Sequence, residues 1–183
     1  MSIPIPSFLS ENLHLEMLLP LRWRRLSESE TVASFTAQNI LALQFIEAAQ
    51  EHTNTVTEKA DTRHGDLHRI EQRLDLILSL VGQLLAQQTN PPAAQTVLLG
   101  MAGVCWQENS PPPPAEQLLI ELFLHPRTNP LCLKATVAEV LNSNNHMYCV
   151  VRFAKVEQTL HELMEKWIFR QHRLAVAQAR RSR

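Results

Sequence analysis

Between residues 27 and 90 the chain contains no proline and reads as helix, while the flanking segments 13 to 25 and 96 to 156 read as β-strand. A helical rod therefore interrupts a small β-structure. From Leu67 the heptad is regular, with Leu67, Leu74 and Val81 at position a and Ile70, Ile77 and Leu84 at position d. An a/d repeat of this kind is the pattern of helices that wind round one another. Self-association through these six residues is the first function the sequence implies.

The seam residues also bear on the number of partners. Leu at a with Ile at d, as at Leu67/Ile70 and Leu74/Ile77, disfavours two strands and shifts preference towards trimers or tetramers. Leu78, Leu80 and Leu85 widen the apolar stripe at the e and g positions, leaving surface for further helices. A four-stranded bundle fits best, and the expected assembly is a homotetramer. A helix packed only on its own domain is the alternative.

Ser27 and Glu30 form an S-x-x-E capping box, which points to a helix start. The helix that follows carries Phe35, Ala42, Ala49 and Val56 in the frame of the later d positions, but Asn39 and Thr53 fall at a, so its seam is the weaker one and is expected on the outside. One helix over residues 28 to 88 would end roughly 90 Å away at about 1.5 Å per residue. Residues 89 to 95 span only about 23 Å when extended. The insertion must therefore be a helical hairpin that turns between Thr53 and Asp66, with Gly65 suited to the end of the turn, unless the β-structure is swapped between chains.

The β-segments have their own punctuation. Residues 1 to 12 read as a loose arm, and His14 to Arg25 as a strand kinked at Pro20, which has no N–H for a ladder. After Thr89-Asn90-Pro91-Pro92 come four strand-like runs, 96 to 107, 117 to 124, 131 to 141 and 147 to 156, separated by Ser110 to Pro114, by His125 to Pro130 and by Asn142-Ser143-Asn144-Asn145. Met147, Cys149, Val151 and Phe153 share one face against Tyr148, Val150 and Arg152, with Val150 marking the second face as less than fully exposed. The C-terminus returns to helical period, with Leu160, Leu163, Met164, Trp167, Gln171 and Leu174 on one stripe and arginines in the last turns, where cations suit the helix dipole.

Composition removes several functional classes. With 17 basic against 18 acidic residues in 183, no bulk electrostatic attraction to nucleic acid or membrane is expected. The first residues lack the basic and apolar regions of a signal peptide, and no run is long enough to span a bilayer. Cys105, Cys132 and Cys149 are odd in number and sit in apolar runs, which suits reduced thiols and a cytoplasmic location. His64 and His68 have the i, i+4 spacing of a helical zinc pair, but no Cys or third His follows at ligand spacing, so a solvated turn is expected and no metal. No nucleophile stands with a base at motif spacing and only four glycines are present, so the sequence carries no enzyme motif and implies no cofactor.

The order of elements resembles a known family. The segment Val97-Leu98-Leu99-Gly100-Met101-Ala102-Gly103-Val104-Cys105-Trp106 as strand, turn and strand, the later Val150-Val151-Arg152-Phe153, and the helix ending Trp167-Ile168-Phe169-Arg170-Gln171-His172-Arg173 are similar to PilZ domains. That resemblance implies a six-stranded antiparallel barrel closed by a C-terminal helix, in a family known mainly as cyclic di-GMP receptors. The helical insertion looks like the atypical tetrameric PilZ proteins of xanthomonads. The implied fold is α+β, with a discontinuous barrel unit at 13–26 and 91–183 and a coiled-coil oligomerisation hairpin at 27–90.

The family's ligand motifs are degenerate here. Aligned on Gly103, the second motif needs Asp or Asn where Leu98 stands and Ser where Gly100 stands, and neither residue can offer the side-chain hydrogen bonds. The basic cluster Arg22, Arg24 and Arg25 lacks the family's Arg-x-x-x-Arg spacing, and alternation along a strand sends Arg25 to the face opposite Arg22 and Arg24. Solvation, or ion pairing with Glu28 and Glu30, is the simple fate of these arginines. The sequence thus points to an oligomeric, non-enzymatic adaptor in bacterial cyclic di-GMP-linked signalling, pilus function, motility or virulence. Its partner is an unknown signalling or pilus protein, with cyclic di-GMP binding not expected. The alternative is a cyclic di-GMP receptor that uses Arg22, Arg24, Arg25 and Gly103 on an altered surface.

Overall fold

The computed structural model describes residues 3–10, 13–27, 33–55, 74, 77, 81, 90–126 and 128–181. The elements are α1 (Ser7–Ser10), β1 (His14–Arg25), α2 (Ala33–Thr55), β2 (Ala94–Gly100), β3 (Gly103–Gln107), β4 (Gln117–Leu122), β5 (Leu131–Ser143), β6 (His146–Phe153) and α3 (Gln158–Arg181). Six antiparallel strands close a barrel in the order β1-β2-β3-β6-β5-β4. The single run read from alternation at 96 to 107 is two strands, as the strand, turn and strand of the family resemblance implied, because the chain turns at Met101-Ala102 between the paired Gly100 and Gly103.

Pro20 marks where the barrel closes. His14 to Pro20 pair with β2, whereas Leu21 to Arg25 pair with β4, so one strand serves two neighbours by changing partner at the residue that cannot donate. The β5–β6 hairpin turns on Asn144 and Asn145, both at positive φ (51° and 66°), the two-residue geometry that asparagine tolerates. Leu15, Leu19, Leu21, Val97, Leu99, Val104, Trp106, Ile120, Leu133 and Val151 fill the interior. One end is plugged by Leu43 and Ile46 of α2 with Leu160, Met164, Trp167 and Ile168 of α3. The α3 stripe holds as far as Gln171; Leu174 is exposed, and Ile168 takes a core position instead.

Asn39 corrects a second expectation. It does not sit at a helical seam: 1% exposed, its Nδ2 donates to Cys132 O at 2.7 Å while its Oδ1 accepts from Cys132 N at 2.8 Å. Both polar atoms of the side chain are thus satisfied by one residue at the start of β5, which clamps α2 to the barrel. Asn39, Ala42, Leu43 and Ile46 form the buried face of α2, at helical spacing, and Glu47 pairs with Lys166 across to α3. The helix continues to Thr55, so the turn expected between Thr53 and Asp66 begins no earlier than its end; residues 56 to 66, with the capping residue Glu30, lie outside the described residues.

The arm expected to be loose is docked. Ile3 and Leu9 are buried, with Leu9 fully so, and they pack with Leu98, Cys105, Tyr148 and Val150 in a second apolar cluster on the outside of the barrel. This explains why Tyr148 and Val150 are both buried although they point away from the interior residues Cys149 and Val151.

Candidate functional site

The positions matching the family's second ligand motif lie on this covered outer face. Leu98 of β2 pairs with Cys105 of β3, and Gly100 with Gly103, so all four residues occupy one corner of the barrel. A Cβ on Gly100 would sit 3.0 Å from Leu9 Cδ2 and 3.2 Å from Leu13 O. One on Gly103 would meet Val151 O at 2.0 Å and Phe8 Cε2 at 3.1 Å. Gly103 is therefore required by the close approach of β6. Gly100, where the motif has Ser, is where the arm's Leu9 lands. Phe8 also caps Arg152, whose guanidinium carbon is 4.3 Å from the ring centroid, a cation–π distance. His14 Nδ1 lies 3.0 Å from Leu9 O.

The basic cluster is elsewhere. Arg22 is directly opposite Glu121 in the β1–β4 ladder and binds it through Nε at 2.8 Å and Nη2 at 2.6 Å, with its guanidinium 5.5 Å from the Phe123 ring centre. Arg24 Nε is 3.9 Å from Glu121 Oε1, and Arg25 Nε is 2.5 Å from Glu116 Oε1. These acids come from β4 and its approach; Glu28 and Glu30, the partners expected from sequence, lie outside the described residues. Gly100 faces His14 at the opposite end of β1, eight residues from Arg22 or roughly 26 Å along an extended strand. The structure thus does not bring Arg22, Arg24 and Arg25 together with Gly103.

Of the seam residues, Leu74, Ile77 and Val81 are described, each helical and each exposed, at 53%, 55% and 45%. Leu67, Ile70 and Leu84 lie outside the described residues, as do Leu78, Leu80 and Leu85 and the pair His64 and His68. Among the described residues no group of three His, Cys, Asp or Glu side chains could hold a metal, and no helix is long and apolar enough to cross a membrane.

Two features escaped sequence reasoning. Glu108 Oε2 accepts from Trp23 Nε1 at 2.7 Å and lies 3.3 Å from Trp106 Nε1, tying β1 to the end of β3. Sequence offers no signal for it, since the two indoles meet only in the closed barrel. The second is a groove of about 460 Å³ beside Ile3, lined by Gln95, Thr96, Gln107, Glu108, Asn109 and Tyr148. Val150, apolar on the outward face of β6, was the one legible sign that something covers this region.

Comparison with known proteins places this geometry. A crystal structure from Xanthomonas campestris, described as a pathogenic protein with a tetrameric PilZ domain self-assembled via an unusual helical bundle, superposes with a TM-score of 0.75 at 22% identity, over 92% of each chain. YcgR of Escherichia coli in complex with c-di-GMP matches at a TM-score of 0.43 and 16% identity, over 49% of this chain and 40% of that one. The Bacillus subtilis inhibitor of motility, MotI/DgrA, matches at 0.38 and 10%, over 43% and 41%. No curated protein sequence matches significantly. The model of the family described as "Atypical PilZ domain, cyclic di-GMP receptor" matches residues 40–181. With β2 to β6, α3 and residues 40–55 of α2 inside that match, the chain belongs to the atypical PilZ domain family.

Proposed function

We propose that this protein is an oligomeric adaptor in cyclic di-GMP-linked bacterial signalling: a non-enzymatic scaffold whose heptad helices assemble four copies and present their barrels to a signalling or pilus protein. The observation that carries the reading is the stripe Leu74, Ile77 and Val81, about half exposed on a single chain at a/d spacing. Apolar side chains left open in that register are buried by other copies of the same helix. The Xanthomonas campestris protein, a self-assembled tetramer by its own description, supports the same reading.

In this reading the barrel does not hold cyclic di-GMP in the family's manner. Leu98 and Gly100 offer no side-chain hydrogen bond, the arm lies over them, and the arginines are engaged by Glu121 and Glu116. Two lost bonds to a charged or buried ligand group, at about 1.5 to 3 kcal/mol each, weaken binding roughly a hundredfold or more. The family's description as cyclic di-GMP receptors favours a second reading, binding through Arg22, Arg24 and Arg25. Calorimetric titration with cyclic di-GMP at low and physiological salt separates the two. The adaptor gives no saturable heat at micromolar nucleotide. Micromolar, salt-tolerant binding that Arg22→Ala or Arg25→Ala abolishes would establish the receptor instead.

A further inference from the structure

Trp167 carries an unmet donor. The residue is 8% exposed, and its Nε1 is buried without a hydrogen-bond partner among the described residues. Trp23 and Trp106 differ, since both indoles reach Glu108. A buried N–H with no acceptor is destabilising, and folded proteins rarely leave one so. Trp167 lines a crevice between α2 and α3 together with Leu43, Glu47, Leu163, Lys166 and Arg170. Its open space is about 20 Å³, room for one water molecule or one carboxylate oxygen. The acid already present, Glu47, is paired with Lys166. Arg170 has no acid after it on α3, because none follows Glu165 in the sequence. What the crevice lacks is an acceptor, and beside a guanidinium and an indole N–H a carboxylate makes the strongest bonds.

The course of the helices bears on where that carboxylate comes from. Phe35, Thr36 and Asn39 of α2 lie with Leu160 of α3, and Leu43 and Glu47 with Leu163, Lys166 and Arg170, so the two helices run parallel. Past the Glu47–Lys166 pair, α3 continues to Arg181, roughly 22 Å at about 1.5 Å per residue, in the direction in which α2 leads away from the barrel. From Arg173 to Arg180 every residue on it is exposed. This end of the chain is basic throughout, with Lys166, Arg170, Arg173, Arg180, Arg181 and Arg183 and no acid. Residues 27–90 have the opposite sign, with nine acidic residues against four basic ones. Copies assembled through the heptad bring both kinds of surface to one bundle, and opposite charge favours their contact.

We propose that the crevice between α2 and α3 receives a carboxylate from residues 27–90 of a second copy, which accepts from Trp167 Nε1 and pairs with Arg170. The proposal rests on the assembly reading above and adds a contact to it. The heptad holds helices to one another, whereas this contact fixes each barrel against a neighbouring copy. It also explains why the donor is unmet in a single chain: its acceptor belongs to the assembly.

The test is Trp167→Phe in two backgrounds, since this substitution keeps an aromatic ring and removes the N–H. In the otherwise wild-type chain it should raise the concentration at which the assembly dissociates at least tenfold, read by fluorescence-detected sedimentation of labelled protein from nanomolar to micromolar. Arg170→Gln, a change on an exposed side chain, should also raise it and should reduce its dependence on salt. In Ile77→Asp, whose broken seam leaves single chains, Trp167→Phe should leave the urea midpoint unchanged or raise it, because there the N–H has no acceptor to lose. The proposal is overturned if either substitution leaves dissociation of the assembly unchanged. It is equally overturned if Trp167→Phe lowers the urea midpoint of Ile77→Asp, where only water or an acid of the same chain can accept. A wild-type chain that does not assemble at all sinks the assembly reading first; an assembled wild type indifferent to both substitutions sinks this contact alone.

Discussion

Gly103 shows how tightly a single residue can be specified. The carbonyl of Val151 occupies the space of a side chain, 2.0 Å from where a Cβ would stand, so the residue must be glycine whether or not a ligand ever binds. Gly103→Ala forces β3 and β6 apart, and overpacking of this kind costs about 1 to 3 kcal/mol or more. The urea midpoint should fall by the corresponding amount; an unchanged midpoint would contradict the packing described. The thiols make a second case. Burial, with the Glu139 carboxylate second, pushes Cys105 up to about 12 from 9.0. Burial, then Glu108 and Cys105, does the same for Cys149. Between those values the folded thiols keep protons that the unfolded chain has lost. Their contribution to stability is therefore full below pH 9 and declines as pH rises towards 12. Urea midpoints should be insensitive to these groups below pH 9 and fall above it, and Cys105→Ala with Cys149→Ala should blunt the fall. A fall of the same size in the double variant would contradict the assignment.

At the scale of elements, what the sequence revealed and what it concealed have physical reasons. Strand β1 was legible because Leu15, Leu19 and Leu21 alternate with exposed residues, and the β5–β6 turn because paired asparagines accept positive φ. Strands β2 and β3 form one run by alternation alone, because both faces of each are apolar, one towards the interior and one towards the arm; only the family resemblance marked the turn between Gly100 and Gly103. The arm itself was misread for the same reason: Ile3 and Leu9 have meaning only once Leu98, Cys105, Tyr148 and Val150 form a surface for them. Asn39 looked like a weak seam position because its partner, the backbone of Cys132, lies 93 residues away in sequence. The candidate ligand site was legible as motif positions only; that Gly100 and Arg22 lie at opposite ends of β1 depends on strand pairing, which sequence spacing does not encode. The heptad carries its own element-scale prediction. Ile77→Asp brings one carboxylate per copy into an apolar seam, where an unpaired charge is costly. Sedimentation should show dissociation with far-ultraviolet circular dichroism of the barrel retained, and a variant that keeps the wild-type mass would place the seam elsewhere.

In the whole molecule, the features converge on a carrier of surfaces. The interior is filled, Arg22 is paired with Glu121 and Arg25 with Glu116, and α2 and α3 plug one end. Among the described residues, Leu74, Ile77 and Val81 stay exposed on the outside at heptad spacing. The adaptor reading requires several copies of the barrel held by one bundle. Its central claim is the assembly, and the mass of the wild-type protein in dilute solution, by light scattering after size exclusion, tests it most directly. The account predicts four times the 20.9 kDa of one chain, unchanged on dilution through the micromolar range. A mass of 20.9 kDa at micromolar concentration would contradict it.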